Sequence, residues 1–182
     1  RGEKAELVQG ALRNARESLA RKMSETATQG RLLKGLTEAF DLPKVPARIE
    51  VYDNSHIQGA FAVGAMVVVG AEGFDKNQYR KFNIKGEDMS AGDDFGMMKE
   101  VMTRRFKRLL KEDPERSSGM WPDLLLIDGG AGQVSSVREI MQSLGVGDVP
   151  MVGVAKGEDR DAGKEVFYRT GKPVMALRHN DP

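Results

Sequence analysis

The stretch Leu124-Leu-Leu-Ile-Asp-Gly-Gly130 decides the fold. Its four aliphatic residues, Leu124 to Ile127, carry no polar alternation, the pattern of a strand buried on both faces of a covered sheet. The run ends on a carboxylate, Asp128, followed by Gly129, Gly130 and Gly132. A strand ending this way presents a charged oxygen at the carboxyl edge of a sheet, where open α/β folds place their ligands. The glycines let backbone or ligand come close. An isolated buried carboxylate is costly, so Asp128 requires a cation, a donor or a substrate.

Outward from this strand, residues from about Gln133 to Leu144 predict a helix, and Met151-Val-Gly-Val-Ala155 predicts another buried strand. Beyond the Gly- and charge-rich Lys156 to Lys164, Val166-Phe-Tyr168 and Val174-Met-Ala-Leu177 read as a hairpin turning at Gly171. On the other side, Ile49-Glu-Val-Tyr-Asp53 alternates apolar and polar residues and predicts a strand ending near Asp53. Phe61 to Val69 is a second strand, Glu72-Gly73 a turn, and Tyr79-Arg-Lys-Phe-Asn-Ile84 a third strand. Connections this short favour an antiparallel meander over crossovers. A helix from about Asp93 to Glu112 follows, with Phe95, Met98, Met102, Phe106 and Leu109 as its apolar face. Arg104, Lys107, Arg108 and Lys111 lie opposite, as a solvated face. The expected class is α/β: a mixed sheet in which a three-strand antiparallel meander gives way to strands alternating with helices.

The first 46 residues read as a helical lead-in and linker. Val8, Leu12, Ala15, Leu19 and Met23 recur at helical steps within residues 3–29. Gly30 and Gly35 weaken the pattern, and Leu32, Leu33, Leu36 and Phe40 predict a second short helix, stopped by Pro43 and Pro46. Residues 47–182 form the main domain.

The bulk numbers narrow the partners. With 28 Lys and Arg against 27 Asp and Glu, no global field advertises a nucleic acid, so any such surface comes from local clustering. The absence of cysteine excludes disulfides and thiolate metal sites and fits a reducing, cytoplasmic setting. No run is apolar and long enough to span a bilayer, and no signal peptide is present. The chain opens on Arg1 and ends in Arg178-His-Asn-Asp-Pro182, as a piece of a longer protein would, and this piece is expected to be a monomer by default.

Three carboxylates carry the chemistry. Asp53 ends the first strand, Asp94 opens the helix after the meander and Asp128 ends the fourth strand. If the first and fourth strands are neighbours, Asp53 and Asp128 project toward one site that Asp94 completes. Hard carboxylate oxygens suit Mg²⁺ or Mn²⁺, and such ions activate water in phosphodiester hydrolysis. Each residue alone also has a structural reading: Asp128 as a turn former, Asp53 in an Asx turn, Asp93 and Asp94 as an N-cap and a first-turn charge. Tyr79, Arg80 and Lys81, with Lys156, Arg160 and Lys164, are placed to meet phosphates beside the acidic site. Strand–Gly-Gly-Ala-Gly–helix also suggests a nucleotide loop, but G-x-G-x-x-G started at Gly130 meets Ser135 at its last glycine, and no G-K-[ST] occurs. His56 is the one histidine near this set; His179 falls in the terminal tail.

Several spaced motifs carry a resemblance. Ile49-Glu-Val-Tyr-Asp-Asn-Ser-His-Ile-Gln-Gly59, Tyr79 to Ile84, Gly92-Asp-Asp-Phe95, Leu126-Ile-Asp-Gly-Gly-Ala-Gly-Gln133 and Val154-Ala-Lys-Gly157 resemble the carboxy-terminal half of UvrC, the nuclease subunit of bacterial nucleotide excision repair. The resemblance implies an RNase H-like endonuclease domain that cuts damaged double-stranded DNA 5′ to a lesion with Mg²⁺ or Mn²⁺. It puts Asp53, Asp94 and Asp128 at the family's essential aspartates. It also implies UvrB as partner, itself loaded by UvrA, and no membrane. The family's catalytic histidine follows a segment like Val174 to Pro182 within an Arg-Asp-Glu-x-His motif, beyond the end of this chain, and His179 does not match it. The domain is therefore expected to be truncated at its carboxy-terminal end. A second reading of the same residues is a DNA- or protein-binding module with a nuclease fold and no chemistry.

Overall fold

A computed structural model describes residues 2–57, 60–84, 93–157 and 165–176, with the backbone alone at 2, 3, 5, 56, 57, 60 and 61. Contacts divide the chain into two units: Arg1–Val45 with Ala71–Gly73, and Pro46–Gly70 with Phe74–Pro182.

The first unit holds one helix, α1 (Gly2–Phe40), where the sequence predicts two. Gly30 and Gly35 do not break it. A helical glycine costs about 1 kcal/mol relative to alanine but still donates its N–H. The first proline, which cannot donate, comes only at position 43. The helix stops on Asp41, at φ 54°, in the left-handed conformation that usually falls to glycine. Leu42 N–H donates to the Thr37 carbonyl (2.9 Å) and Asp41 N–H to Glu38 (3.3 Å), which closes the last turn.

The second unit is built on a mixed sheet. Its strands are β1 (Arg48–Ile57), β2 (Ala60–Gly70), β3 (Gly73–Phe74), β4 (Arg80–Asn83), β5 (Leu124–Asp128), β6 (Met151–Ala155), β7 (Val166–Tyr168) and β8 (Met175–Ala176). Their order is β3-β2-β1-β5-β6-β7-β8, with β4 also on β2. The meander β1-β2-β4 is antiparallel, and so is the β6-β7-β8 flank. The centre, β1-β5-β6, is parallel. Its crossovers are the helices α2 (Asp94–Glu112) and α3 (Ala131–Ser143). The aliphatic strand is central as predicted: Leu124, Leu125 and Ile127 are fully buried, and Asp128 at its end is exposed.

Helix α2 is set at both ends. The Asp93 side chain accepts from Gly96 N–H (2.8 Å) as N-cap. At the far end Asp113 N–H donates to the Leu109 carbonyl (2.8 Å), and the Asp113 carboxylate accepts from the Ser117 and Ser118 N–H groups (2.9 and 3.1 Å). Between them Met98, Val101, Met102, Phe106 and Leu109 pack with Tyr52, Met66, Leu125, Ile127 and Val137 in one core. Phe95 departs from the predicted apolar face and is half exposed.

Two features of β1 also differ from expectation. Asp53 does not end the strand, because β2 keeps pairing past it, with Asp53 opposite Ala65 and Ser55 opposite Val63. Both sides of β1 are covered where it starts: Ile49 is buried on one, with Val51 half-buried, and Glu50 and Tyr52 are fully buried on the other. Glu50 is held there by Arg48 Nε (2.8 Å), Arg105 Nη2 (2.6 Å), Arg105 Nε (3.2 Å) and the Tyr52 hydroxyl (2.6 Å). Burial raises the Tyr52 phenol well above its ordinary value, and the Glu50 charge raises it further. Burial opposes the Arg105 charge, but the bonds to Glu50 outweigh it and hold the guanidinium above its usual range.

Candidate active site

Strand register sets the site. β1 and β5 run parallel, with Tyr52 paired to Ile127, so the next residues on each strand are Asp53 and Asp128. Strand β5 stops there while β1 continues, which leaves both carboxylates at the carboxyl edge of the parallel centre. Asp53, Asp94 and Asp128 line one cavity of about 370 Å³ together with Asn54, Asp93, Phe95, Met98, Gly129, Gly130 and Gln133. Burial raises the Asp53 carboxyl above its ordinary value, and the adjacent Asp128 charge raises it further. Two carboxylates so placed repel each other, and a cation between them would relieve that repulsion.

The neighbouring side chains fix the walls. With its amide oxygen toward α2, Asn54 accepts from Met98 N–H (3.1 Å) and donates to the Asp53 carbonyl (3.3 Å). Gln133, in the first turn of α3, donates to the Asp94 carbonyl (3.2 Å). These two amides tie the start of α2 to β1 and to α3, and so hold Asp94 at the cavity. Gly129 sits at φ 144°, and a side chain there would run into Gln133 Cβ at 2.6 Å. The next two glycines, Gly130 at the N-cap of α3 and Gly132 in its first turn, lie under aromatic rings: a Cβ on Gly130 would lie 3.7 Å from Tyr168, and one on Gly132 3.0 Å from Phe95.

The donor set suits a hard divalent cation, since oxygen alone is offered. Among the described residues no three acidic or histidine side chains are gathered closely enough to hold an ion. The fit therefore rests on the Asp53–Asp128 pair, with Asp94 on the same wall.

The basic residues singled out by sequence separate. Lys81 lies opposite Ala65, which lies opposite Asp53, so the three stand in one row across β4, β2 and β1. At about 4.8 Å per strand, Lys81 is roughly 10 Å from Asp53 along that row. Lys156 is exposed just past the carboxyl end of β6, at the edge that carries Asp128. Arg80 is turned to its own loop, donating to the carbonyls of Asn77 (3.2 Å) and Tyr79 (2.9 Å), and Tyr79 is half-buried. Arg160, Lys164, His179 and the His56 side chain lie outside the described residues. On α2, Arg104 bonds the Asn83 carbonyl (2.7 Å) and lies over the Phe82 ring, while Lys107, Arg108 and Lys111 are exposed.

The family model for the UvrC RNAse H endonuclease domain matches residues 37–182. The chain belongs to this UvrC family. The RNase H-like class expected from the motifs is thereby met, together with endonuclease as the family's activity. Curated relatives include the UvrABC system protein C of Ruegeria pomeroyi, 75% identical over the whole of this chain and 29% of that protein. That of Rhodospirillum rubrum is 57% identical over the whole chain and 28% of its own length. The chain thus spans less than a third of the relatives it matches. Among solved structures, the catalytic domain of human endonuclease V aligns with TM-score 0.39 and 23% identity, over 78% of this chain and 59% of that one. Ciona intestinalis endonuclease V, with a 23mer DNA containing an inosine followed by a ribo-adenosine, aligns with TM-score 0.45 and 15% identity, over 78% and 58%.

Sequence reasoning passed over Asn54, Gln133 and Phe95 as members of the site. All three lie inside the UvrC-like motifs, directly beside or a short step from an aspartate, and that adjacency was the available signal.

Proposed function

We propose that residues 47–182 are the catalytic domain of a metal-dependent DNA endonuclease that makes the 5′ incision beside a lesion in nucleotide excision repair, with residues 1–46 as its helical lead-in. The observation that carries this reading is the parallel β1–β5 register, which sets Asp53 beside Asp128 at the carboxyl edge of the sheet. In this reading Asp53 and Asp128 hold Mg²⁺ or Mn²⁺ and Asp94 adds a third carboxylate. The bound ion supplies an activated water and charge stabilisation for the leaving oxygen. Asn54 and Gln133 keep Asp94 in place. Lys81 and Lys156 meet the phosphates on either side of the cut, which positions the strand without reading its sequence. The substrate is damaged double-stranded DNA and the partner is UvrB, following UvrA, in keeping with relatives named for the UvrABC system.

The test is a Mn²⁺ titration of this chain and its Asp53→Asn and Asp128→Asn variants, with 5′ incision measured in the full-length protein. Both variants are expected to lose metal binding and to lower incision by two orders of magnitude or more. Incision that survives Asp128→Asn sinks the reading and leaves a DNA- or protein-binding module.

A further inference from the structure

Phe95 directly follows Asp94 in the first turn of α2 and is 50% exposed, on the cavity that Asp53 and Asp128 share. The helical pattern gives a buried place to the residues one and two turns further on, Met98 and Met102, but not to this ring. It rests instead on the first turn of α3. Gly132 leaves room for it, since a Cβ there would come within 3.0 Å of Phe95 Cζ and 3.5 Å of Cε1. The ring is thus supported from below and open to the cavity. A single exposed apolar side chain is ordinary on a protein surface; Phe95 differs from the others in its place on the wall of the cavity that the carboxylates share.

We infer that Phe95 is a stacking platform for a nucleobase of the strand whose phosphate lies at Asp53 and Asp128. The inference rests on the nuclease reading and goes beyond it. Asp93 and Asp94 repel a phosphate at this wall, whereas a base is the neutral, flat part of a nucleotide. Every base offers a π-face, so the platform tolerates any sequence. A base inside a duplex is already stacked on its neighbours, so Phe95 receives one only from a nucleotide that is unpaired or turned out of the helix. The enzyme would therefore cut best where pairing beside the scissile phosphate has been lost.

The experiment compares the chain with Phe95→Leu and Phe95→Trp, using a fluorescein-labelled oligothymidylate read by anisotropy. Phe95→Leu keeps the apolar contact with Gly132 but not the π-face, and is expected to bind the oligonucleotide about tenfold more weakly. Phe95→Trp is expected to restore binding, with its emission quenched on saturation. The one native tryptophan, Trp121, is 8% exposed, so the new signal reports position 95. Mn²⁺ affinity is expected to be the same in all three proteins. The inference is overturned if Phe95→Leu binds as tightly as the parent, if the new tryptophan is not quenched at saturation, or if the parent does not bind. Any of these with Mn²⁺ binding intact leaves the nuclease reading standing, because that reading fails only through Asp53→Asn and Asp128→Asn.

Discussion

At the scale of the residue, Glu50 is the most consequential side chain outside the site. It is fully buried against two guanidiniums, and removing it strands both charges in the core. Glu50→Ala is expected to destabilise the protein by about 3–5 kcal/mol, read as a lower urea midpoint at unchanged slope. Asp128 has the opposite balance. A carboxyl whose folded value lies above its unfolded one costs stability once pH exceeds both, and Asp128 is one cause of that cost at Asp53. Asp128→Asn is therefore expected to raise the melting temperature in metal-free neutral buffer while abolishing any rise caused by Mn²⁺. Differential scanning calorimetry with and without the ion checks both. Of these two residues only Asp128 was legible from sequence, because an aliphatic run followed by Asp and glycines is a local signal. The alternation Ile49-Glu-Val-Tyr marks a strand and leaves open which of its faces turns inward. Arg48 and Tyr52 are local partners of Glu50, but Arg105, which makes two of its bonds, lies 55 residues away and no local pattern announces it.

At the scale of the element, α2 is the part whose placement matters most, since it carries Asp94 and Phe95. Gly64 on β2 is what lets it sit close. A Cβ there would stand 2.5 Å from Val101 Cγ2 and 2.9 Å from the Asn54 side-chain amide. Gly64→Ala is expected to cost about 1–3 kcal/mol and to weaken Mn²⁺ binding, since α2 and Asn54 must give way together. The other end of the helix depends on pH. The Ser118 hydroxyl bond, with the Ser117 and Ser118 N–H groups, holds the Asp113 carboxyl below its ordinary value. A carboxyl lowered on folding adds stability above its unfolded value, and that contribution is lost as pH falls through the folded one. Asp113→Asn should thus melt lower than the parent at pH 7, and the gap should close on acidification. Helix boundaries near such caps were legible. The single span of α1 was not, because a glycine weakens a helical pattern without ending a helix, and a long propagating helix outlasts two of them.

At the scale of the molecule, the meander, with its antiparallel neighbours, and the buried strands could be read from alternation and apolar runs, whereas the strand neighbours outside the meander could not. The parallel contact of β1 with β5 is the decisive unread fact. Adjacent residues on it, Arg48 and Asp123, are 75 positions apart, and Asp123 accepts from Ala47 and Arg48 N–H (2.9 and 3.1 Å) to start the pairing. Such a contact closes a long loop, whose entropy must be met before the pairing gains anything, and contacts of this kind slow folding. The meander β1-β2-β4 closes locally and is expected to form first. On a ribosome this gives an order of events: Asp53 is made, folded into its hairpin and left without Asp128 until β5 emerges. At about 5–20 residues per second, the intervening segment takes several seconds to appear. A nascent chain therefore carries half of the proposed site for that interval, and the other half arrives only with β5.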